Sequence, residues 1–172
     1  MKTWGPRIAL GLGLLLSACV SDDDDPQILP GDPRYLRDPA LDVDNRSAHD
    51  QQRSHNLGLN CMQCHQAFGP GRGRFTVGLS VLGPDGKPHP NAVLELFQAP
   101  PGPGVLPRYV LQGDALGNVF TTEALPLPDQ ALFAVVRSRD GKLRNQMPFP
   151  TASGACNQCH RPGFTVTLEP VP

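Results

Sequence analysis

Two short motifs each place two thiols and an imidazole within five consecutive residues. Both have the form Cys-x-x-Cys-His, as Cys61-Met62-Gln63-Cys64-His65 and Cys156-Asn157-Gln158-Cys159-His160. Thiols three positions apart on one helical turn can reach the two vinyl groups on one edge of a porphyrin. The imidazole of the next residue then lies close to the iron and can bind it axially. This pattern is the attachment signature of haem c, so the pair of motifs predicts two haem c groups.

The motif also predicts a role for each of its residues. Thioether bonds to the porphyrins are expected from the four motif cysteines, Cys61, Cys64, Cys156 and Cys159, and the proximal iron ligands are expected to be His65 and His160. Two other uses of the thiols remain open, a tetrathiolate zinc site or disulfides formed in an oxidising compartment. Neither use requires a histidine directly after each pair, which favours haem.

The sixth ligand of each iron has to come from elsewhere in the chain or be absent. The candidate distal ligands are His55, His49 and Met147. His55 lies six residues before Cys61, and Gly58 between them allows the loop to fold back sharply. Histidine ligands at both irons predict low potentials, whereas a Met147 thioether raises the potential of its haem. The other interpretation of Met147 is a core residue at the edge of the β domain.

The N-terminus is typical of a lipoprotein signal peptide over residues 1–18. Two basic residues precede an apolar run, residues 8–16, which is too short to span a bilayer. The following Leu16-Ser17-Ala18-Cys19 resembles the bacterial lipobox, in which the cysteine is acylated and becomes the new N-terminus. The alternative is an ordinary leader with a chance cysteine. We therefore expect a lipid anchor at Cys19 in a bacterial cell envelope, at the outer membrane, on its periplasmic face or at the cell surface.

A polar linker follows the predicted anchor. Four consecutive aspartates, Asp22 to Asp25, repel one another and stay solvated, and the prolines of residues 26–39 favour an extended arm. We predict a disordered, flexible tether over residues 19–48, and a helix within the polar stretch 41–57. The remaining expected units are a first haem c segment at 49–73, a β-sandwich at 74–148, and a second haem c segment with a terminal strand at 149–172.

The middle of the chain is predicted to be a small β domain. The 18 glycines and 20 prolines among 172 residues exclude long helices, and with them helical bundles. Period-two or β-rich runs predict strands at residues 75–82, 92–98, 108–112, 119–123, 132–138 and 142–146. Pro84-Asp85-Gly86 and Asp140-Gly141 are turn sequences between such runs. Short strands at regular spacing favour a mainly β fold of the sandwich type.

Two stretches of this domain resemble the carboxypeptidase-regulatory, transthyretin-like β-sandwich family. They are Asp85-Gly86-Lys87-Pro88-His89-Pro90-Asn91-Ala92-Val93-Leu94 and Gly117-Asn118-Val119-Phe120. The resemblance implies a small Ig/transthyretin-like sandwich without catalytic residues. The whole chain resembles bacterial c-type dihaem cytochrome lipoproteins that carry such a domain between two Cys-x-x-Cys-His motifs. That resemblance implies electron transfer between envelope redox partners, such as other cytochromes or oxidoreductases.

A second similarity connects the two motifs. Each has glutamine before its second cysteine, and each is followed by Phe-Thr-Val, at residues 75–77 and 164–166. The pattern is typical of a duplicated unit made of a haem segment and a strand. Chance is the other explanation, because threonine and valine are common in strands.

Charge and composition restrict the remaining function classes. A net charge of -1 gives no basic excess for phosphate binding, so we expect no nucleic-acid partner. The sequence contains no evident nucleophile–base pair and no glycine-rich phosphate loop, which favours an electron carrier over an enzyme.

Two alternatives to an electron carrier remain open. One is a surface-anchored β-sandwich that binds a partner and uses its cysteine pairs for zinc or disulfides. The other is a haem-based sensor or peroxidase with a five-coordinate iron.

Overall fold

The computed structural model describes residues 37–52 and 56–171. This part of the chain forms eight strands and very little helix, which confirms the predicted mainly β class. The strands are β1 (Val77–Leu82), β2 (Val93–Phe97), β3 (Tyr109–Gln112), β4 (Asn118–Thr121), β5 (Phe133–Arg137), β6 (Leu143–Gln146), β7 (Val166–Thr167) and β8 (Glu169–Pro170). The helical segments described are two 3-10 helices, Pro39–Leu41 and Cys61–Gln63, and the short helix α1 (Cys156–Cys159).

The strands form two sheets that pack as a β-sandwich. One sheet has three strands in the order β4-β1-β7, and the other has five in the order β3-β2-β5-β6-β8. Strand β1 pairs with β4 antiparallel and with β7 parallel. All neighbours in the five-stranded sheet are antiparallel. The last strands of the chain therefore complete both sheets.

The core lies between the sheets and is built from alternate residues of their strands. Val77, Leu79 and Val81 of β1 share one buried cluster with Leu94 and Leu96 of β2. Successive residues of a strand point to opposite faces, so Gly78 and Ser80 lie on the other face of β1. That face is also buried, since all residues of β1 except the half-buried Leu82 are buried. Strand β1 is therefore covered on both sides.

The predicted strands and turns of the middle domain agree closely with the structure. Strands β1, β2, β3, β5 and β6 each lie within the predicted limits, and β4 begins one residue earlier than predicted. Gly86 and Gly141, in the two predicted turns, have φ angles of 74° and 75°. Only glycine adopts this left-handed region without steric cost, which is why these sequences end the strands where they do.

Residues 37–48 lie against the sandwich instead of forming the flexible tether expected there. Arg46 forms a β-bridge with Thr121, and the Ser47 amide donates to the Phe120 carbonyl at 2.8 Å. The reason is that β4 is an edge strand, whose outward backbone groups need partners that a polar segment can supply. The helix expected within residues 41–57 is not present in residues 42–52, which follow this edge in irregular conformation.

Some predictions fall on parts of the chain outside the described residues. These are the signal peptide, the lipidated Cys19, the first part of the tether, and the candidate ligand His55. Within the described ranges, no helix is long and apolar enough to cross a lipid bilayer.

Candidate cofactor sites

Both Cys-x-x-Cys-His motifs pack against the same strand, β1. Gly78 of β1 is the point where they meet. Its amide donates to the Gly154 carbonyl at 2.9 Å, and it forms a parallel bridge with Ala155, the residue before the second motif. A Cβ atom on Gly78 would lie only 2.7 Å from the Cβ of Cys61 in the first motif. The absence of a side chain at this position therefore allows both motifs to approach one strand.

The parallel pairing of β1 and β7 gives the two motifs the same relation to the strands that follow them. Strand β1 follows the first motif along the chain, and β7 follows the second. Val81 of β1 lies opposite Val166 of β7 in parallel register. Both motifs lie on the outer face of β1, with Cys61 of the first at Gly78 and Asn157 of the second at Ser80.

Asn157, inside the second motif, connects that motif to the first. Its side chain is only 1% exposed. Its Oδ1 accepts from the Ser80 amide at 2.9 Å, and its Nδ2 donates to the Leu59 carbonyl at 2.9 Å and to Ser80 Oγ at 3.0 Å. The same Nδ2 lies 3.8 Å from the Cys61 sulfur. Sequence reasoning missed this residue because the two central positions of the motif have no required identity.

The His65 ring is buried and has a defined orientation. Its Nδ1 lies 2.8 Å from the Arg72 carbonyl oxygen. A carbonyl can only accept, so Nδ1 carries a proton, and in the neutral ring Nε2 is then the nitrogen with the lone pair. The ring stacks on Phe75 with centroids 3.9 Å apart, and Phe75 stacks in turn on Phe120 at 4.8 Å. Hydrogen bonding of the second ring nitrogen to a backbone carbonyl is the usual way in which metal-binding histidines are oriented.

A cavity of about 90 Å³ lies beside the first motif. Both motif cysteines and His65 line it, together with the aromatic residues Phe75 and Phe120. The rest of its wall includes four amide residues, Asn56, Asn60, Gln63 and Asn118. The predicted attachment points and proximal ligand of the first site therefore share one partly polar cavity.

Arg37 holds the loop that orients His65. Its side chain is 3% exposed. The guanidinium donates to the Gln66 carbonyl at 3.0 Å, to the Gly69 carbonyl at 2.5 Å and to the Gly71 carbonyl at 2.6 Å. The next residue in this loop, Arg72, supplies the carbonyl that binds Nδ1 of His65. Sequence reasoning missed Arg37 because it lies in a stretch that has the composition of a linker.

Arg37 is also part of a small ion-pair network with Asp42. Hydrogen bonds from Arg37 and then from Arg74 hold the pKa of the Asp42 carboxyl below its ordinary value of 3.8. Arg74 makes a two-point contact, with Nε 2.8 Å from Oδ1 and Nη2 2.6 Å from Oδ2. The network joins residues 37–42 to the chain between the first motif and β1.

The second motif lies beside a larger cavity, of about 260 Å³, between the two sheets. Its walls include Cys156 and His160 of the motif and aliphatic residues of both sheets, Leu79, Leu94, Ala134, Val136 and Val166. Met147 also lines this cavity and packs against the core. Met147 continues the inward-facing row of β6, and its amide donates to the Ala134 carbonyl at 3.0 Å. The predicted proximal and distal ligands of the second site are therefore brought to one cavity.

The similarity between the two motifs extends to their surroundings. His160 stacks on Phe164 with centroids 5.2 Å apart, as His65 stacks on Phe75. In both units the phenylalanine belongs to the repeated Phe-Thr-Val. The Nδ1 atom of His160 lies 3.3 Å from the Phe164 carbonyl oxygen, so both histidines direct this nitrogen at a backbone acceptor. The shared stacking and the neighbouring parallel strands support a duplicated unit.

The sulfur atoms nearest β1 lie in surroundings that favour a neutral form. Burial raises the pKa of the Cys61 thiol above its ordinary value of 9.0, and raises the pKa of Cys156 to about 12. Such burial suits a thiol or a thioether, and opposes the thiolate form that zinc requires. The structure joins none of the four motif cysteines to another by a disulfide. Within the described residues, no three His, Cys, Asp or Glu side chains are arranged to hold a metal ion.

The candidate ligand His49 lies apart from both cavities. Its Nε2 is 2.9 Å from Asp50 Oδ2 and 2.5 Å from Nη1 of Arg139, in the turn between β5 and β6. It is among the lining residues of neither motif cavity. Of the three candidate distal ligands, Met147 is thus the one that the described part of the structure brings to a motif.

Comparison with protein-family models, with curated proteins and with solved structures found no match to this chain.

Proposed function

We propose that this protein is a dihaem c-type cytochrome that passes single electrons between redox partners in a bacterial cell envelope, with a lipid anchor at Cys19. The observation that carries the proposal is the grouping of residues at each motif. Cys61, Cys64 and His65 face one cavity, and Cys156 and His160 face another. A haem attached there supplies one-electron redox chemistry, while the protein supplies the ligands and the surroundings.

At the first site, two cysteines would hold the porphyrin and His65 would bind its iron through Nε2. The Arg72 carbonyl keeps the proton on Nδ1, and the stack on Phe75 restricts rotation of the ring. A histidine whose ring is fixed in this way is already oriented before the iron binds. This support explains why a loop well outside the five-residue motif is ordered around it.

At the second site, Cys156 and Cys159 would hold the porphyrin and His160 would bind its iron. Met147 is the distal ligand that the geometry favours, since it lines the same cavity as His160. Its place among core residues is compatible with this role, because a methionine packed in a core holds its thioether in a limited region.

The two sites differ in the ligand that the structure brings to them, which supports different reduction potentials. Met147 lines the second cavity, whereas no candidate distal ligand among the described residues lines the first. A thioether ligand disfavours the more highly charged ferric state. We therefore expect the second haem to have the higher potential, and electrons to move from the first site to the second.

The size of the cavities fits an electron carrier that works by surface contact. Cavities of about 90 and 260 Å³ are smaller than the roughly 300–1,000 Å³ of pockets that enclose most of a ligand. Neither motif therefore faces a cavity of the size that encloses a small substrate, which favours a carrier over an enzyme. Other cytochromes or oxidoreductases of the envelope are the expected partners, because a carrier exchanges electrons by contact with other redox proteins.

The first test is the cofactor content of the full chain, produced in a bacterium that has cytochrome c maturation enzymes. The proposal expects two covalent haems per chain by intact mass and by haem absorbance, and two separable one-electron steps in a redox titration. Cys61→Ala/Cys64→Ala and Cys156→Ala/Cys159→Ala should each remove one haem. A colourless protein whose thiols are unmodified, disulfide-bonded or bound to zinc would overturn the proposal.

A second measurement separates an electron carrier from a haem sensor or peroxidase. Six-coordinate, low-spin iron at both sites, with no binding of carbon monoxide to the ferrous protein, is expected of the carrier. A high-spin signal together with rapid carbon monoxide binding would instead favour the sensor or peroxidase. Radiolabelled palmitate incorporation, absent in Cys19→Ala, tests the anchor independently.

A further inference from the structure

We propose that Arg37 is a positioning residue for the first redox site. Its guanidinium gathers the loop of residues 66–72 so that the Arg72 carbonyl is aimed at Nδ1 of His65, and this keeps a haem bound by His65 at a low reduction potential. Arg37 is not among the residues that line the cavity of the first motif, so it acts through the loop. The part of this inference that concerns the potential rests on the proposed function, whereas the aiming of the carbonyl does not.

The hydrogen bonds of Arg37 use the whole guanidinium. A guanidinium has five N–H groups in a fixed planar fork, and here they meet five acceptors. Nε donates to Asp42 Oδ1 at 2.5 Å. The other four acceptors are carbonyl oxygens, those of Gln66 and Gly69 for Nη1 and those of Leu41 and Gly71 for Nη2. Because four carbonyls converge on one buried cation, the loop has one defined orientation relative to Arg37.

The loop in turn lies tightly on the first motif. The Gly71 amide donates to the Cys64 carbonyl at 2.7 Å, and a Cβ atom on Gly71 would lie 2.8 Å from Cγ of the His65 ring. The carbonyl that binds Nδ1 of His65 belongs to the next residue, Arg72. A change in the direction of the loop carbonyls is therefore passed directly to the hydrogen bond of His65.

The loop has further attachments that do not involve the side chain of Arg37. They are the hydrogen bonds from the Gly73 amide to the Leu41 carbonyl at 2.7 Å, from the Phe75 amide to the His65 carbonyl at 2.9 Å, and from Asn45 Nδ2 to the Arg72 carbonyl at 3.3 Å. Since these bonds remain when Arg37 is replaced, we expect the loop carbonyls to be redirected without unfolding of the loop. The expected result is a changed potential with both haems retained.

The direction of the change follows from the chemistry of the imidazole. A firm hydrogen bond from Nδ1 makes the ring a stronger donor to its metal, which stabilises ferric iron and lowers the potential. A redirected Arg72 carbonyl weakens that bond, so the potential should rise. Loss of the Arg37 charge would act in the opposite direction, because a nearby cation disfavours ferric iron. The substitution that tests the hydrogen bonds therefore has to keep the charge.

Arg37→Lys is that substitution, because an ammonium keeps the charge but donates from one atom and not from a fork. Arg46→Lys is the matched control, since Arg46 lies in the same segment, is 73% exposed and pairs with Glu123. Both variants are produced as full chains with two haems and titrated optically. The couple that is missing from Cys61→Ala/Cys64→Ala belongs to the first haem.

We expect Arg37→Lys to shift the ferric–ferrous equilibrium of the first haem by on the order of tenfold towards the ferrous form. For one electron this is a rise in potential of about 59 mV. The couple of the second haem should not move, and Arg46→Lys should match the wild type at both couples. An unchanged first potential in Arg37→Lys, or equal shifts of both couples, would overturn the inference.

A second pair of variants is used if Arg37→Lys does not fold by circular dichroism. Arg37→Gln and Arg74→Gln each remove one positive charge from contact with Asp42, but only Arg37→Gln removes bonds to the loop carbonyls. The first haem should have the higher potential in Arg37→Gln. An equal or lower potential there would contradict the inference. Loss of the whole fold in every Arg37 variant would also contradict it, because Arg37 would then support the sandwich in general.

Hydrogen exchange separates failure of this inference from failure of the proposed function, because it needs no haem. In the exported chain, the Gly71 amide should exchange on the order of tenfold faster in Arg37→Lys than in the wild type or Arg46→Lys. If the chain carries no haem but this exchange is faster, the aiming of the loop stands and the proposed function fails. If two haems are present while both the exchange and the first potential are unchanged, only the positioning role fails.

Discussion

The two motif histidines differ in how firmly the protein holds them. His65 is 8% exposed, has its Nδ1 2.8 Å from a carbonyl oxygen, and stacks on Phe75 at 3.9 Å. His160 has the corresponding distances of 3.3 Å and 5.2 Å. A shorter hydrogen bond at Nδ1 makes the imidazole a stronger donor to its metal. A haem iron bound by His65 would therefore be stabilised in its ferric form relative to one bound by His160, which would add to the expected difference in potential.

Replacement of Met147 tests its predicted role as a distal ligand. In Met147→Leu we expect two haems to remain, with the higher of the two potentials lowered by on the order of 0.1 V, a fraction of the roughly 0.8 V that axial ligands span. The reason is that loss of the thioether removes a ligand that favours ferrous iron. Redox titration with optical detection measures both potentials.

Met62→Leu is the matched control for that titration. Met62 lies within the first motif, and a change there should leave the higher potential where it is in the wild type. Equal shifts in the two variants, or none in Met147→Leu, would assign Met147 to core packing alone.

A methyl group at Gly78 tests the close approach of Cys61 to β1. The added Cβ would lie 2.7 Å from Cys61 Cβ, so Gly78→Ala should lower the free energy of unfolding by about 1–3 kcal/mol. Gly102→Ala is the control, because a Cβ there meets nothing within 4 Å. Urea denaturation compares the two. Equal stability of both variants would show that Cys61 can move away from β1 without cost.

The motif residues could be proposed from the sequence because their expected chemistry is contained in five consecutive positions. Asn157 and Arg37 were not, since their partners are distant in sequence. The carbonyl bound by Asn157 is 98 residues away, and those bound by Arg37 in the loop are 29 to 34 residues away. Nothing in their local sequence distinguishes either residue from an ordinary surface position.

At the level of elements, the six strands between the motifs were predictable from alternation and turn residues. The parallel pair of β1 and β7 was not, because β7 has two residues and its pairing is non-local. The docking of residues 37–48 was also not predictable. Residues 45–47 contact β4 and the residues after it through backbone pairing and through the Ser47 hydroxyl, and residues 37–42 contact the loop after the first motif, so all of these partners are distant in sequence.

Residues 37–48, which dock on the sandwich and are called the docked arm below, should detach in acid because Asp42 loses its charge. The carboxyl has a folded pKa below 3.8, so its ion pairs contribute stability above 3.8 that is lost as the pH falls through the lowered value. Hydrogen exchange of residues 37–48 should therefore accelerate at pH values below 3.8. In Asp42→Asn the exchange should already be faster near neutrality and should vary less with acidification.

Asp44→Asn, in the same arm, is the control for that experiment. Asp44 has no ion pair among those found in the described residues, so its replacement should leave the acid release as in the wild type. An identical exchange profile for the wild type and Asp42→Asn would show that Asp42 does not hold residues 37–48 on the sandwich.

For the molecule as a whole, β1 is the strand that contacts both the core of the sandwich and the two motifs. Its inner face forms the core, and its outer face carries both motifs. Leu79→Ala should lower the free energy of unfolding by about 2–5 kcal/mol, because it opens a cavity in the centre of the sandwich. Leu106→Ala, at a side chain that is 84% exposed, should change it very little.

Urea titration followed by haem absorbance and by circular dichroism checks this expectation. Both motifs lie on β1, so within each protein the two signals should report one transition at a single urea concentration. That concentration should be lower in Leu79→Ala than in the wild type. Separate transitions would show that the motifs are stabilised independently of the sandwich.

Cys61 and Asn157 are in contact in the structure but are 96 residues apart in the sequence, so they are synthesised at different times. A ribosome adds about 5–20 residues per second, so the first motif exists for on the order of ten seconds before Asn157 does. Throughout that interval the cysteines of the first motif belong to an incomplete polypeptide. The hydrogen bond between Asn157 and the Leu59 carbonyl can form only after this interval, so the first motif gains that contact late in the production of the chain.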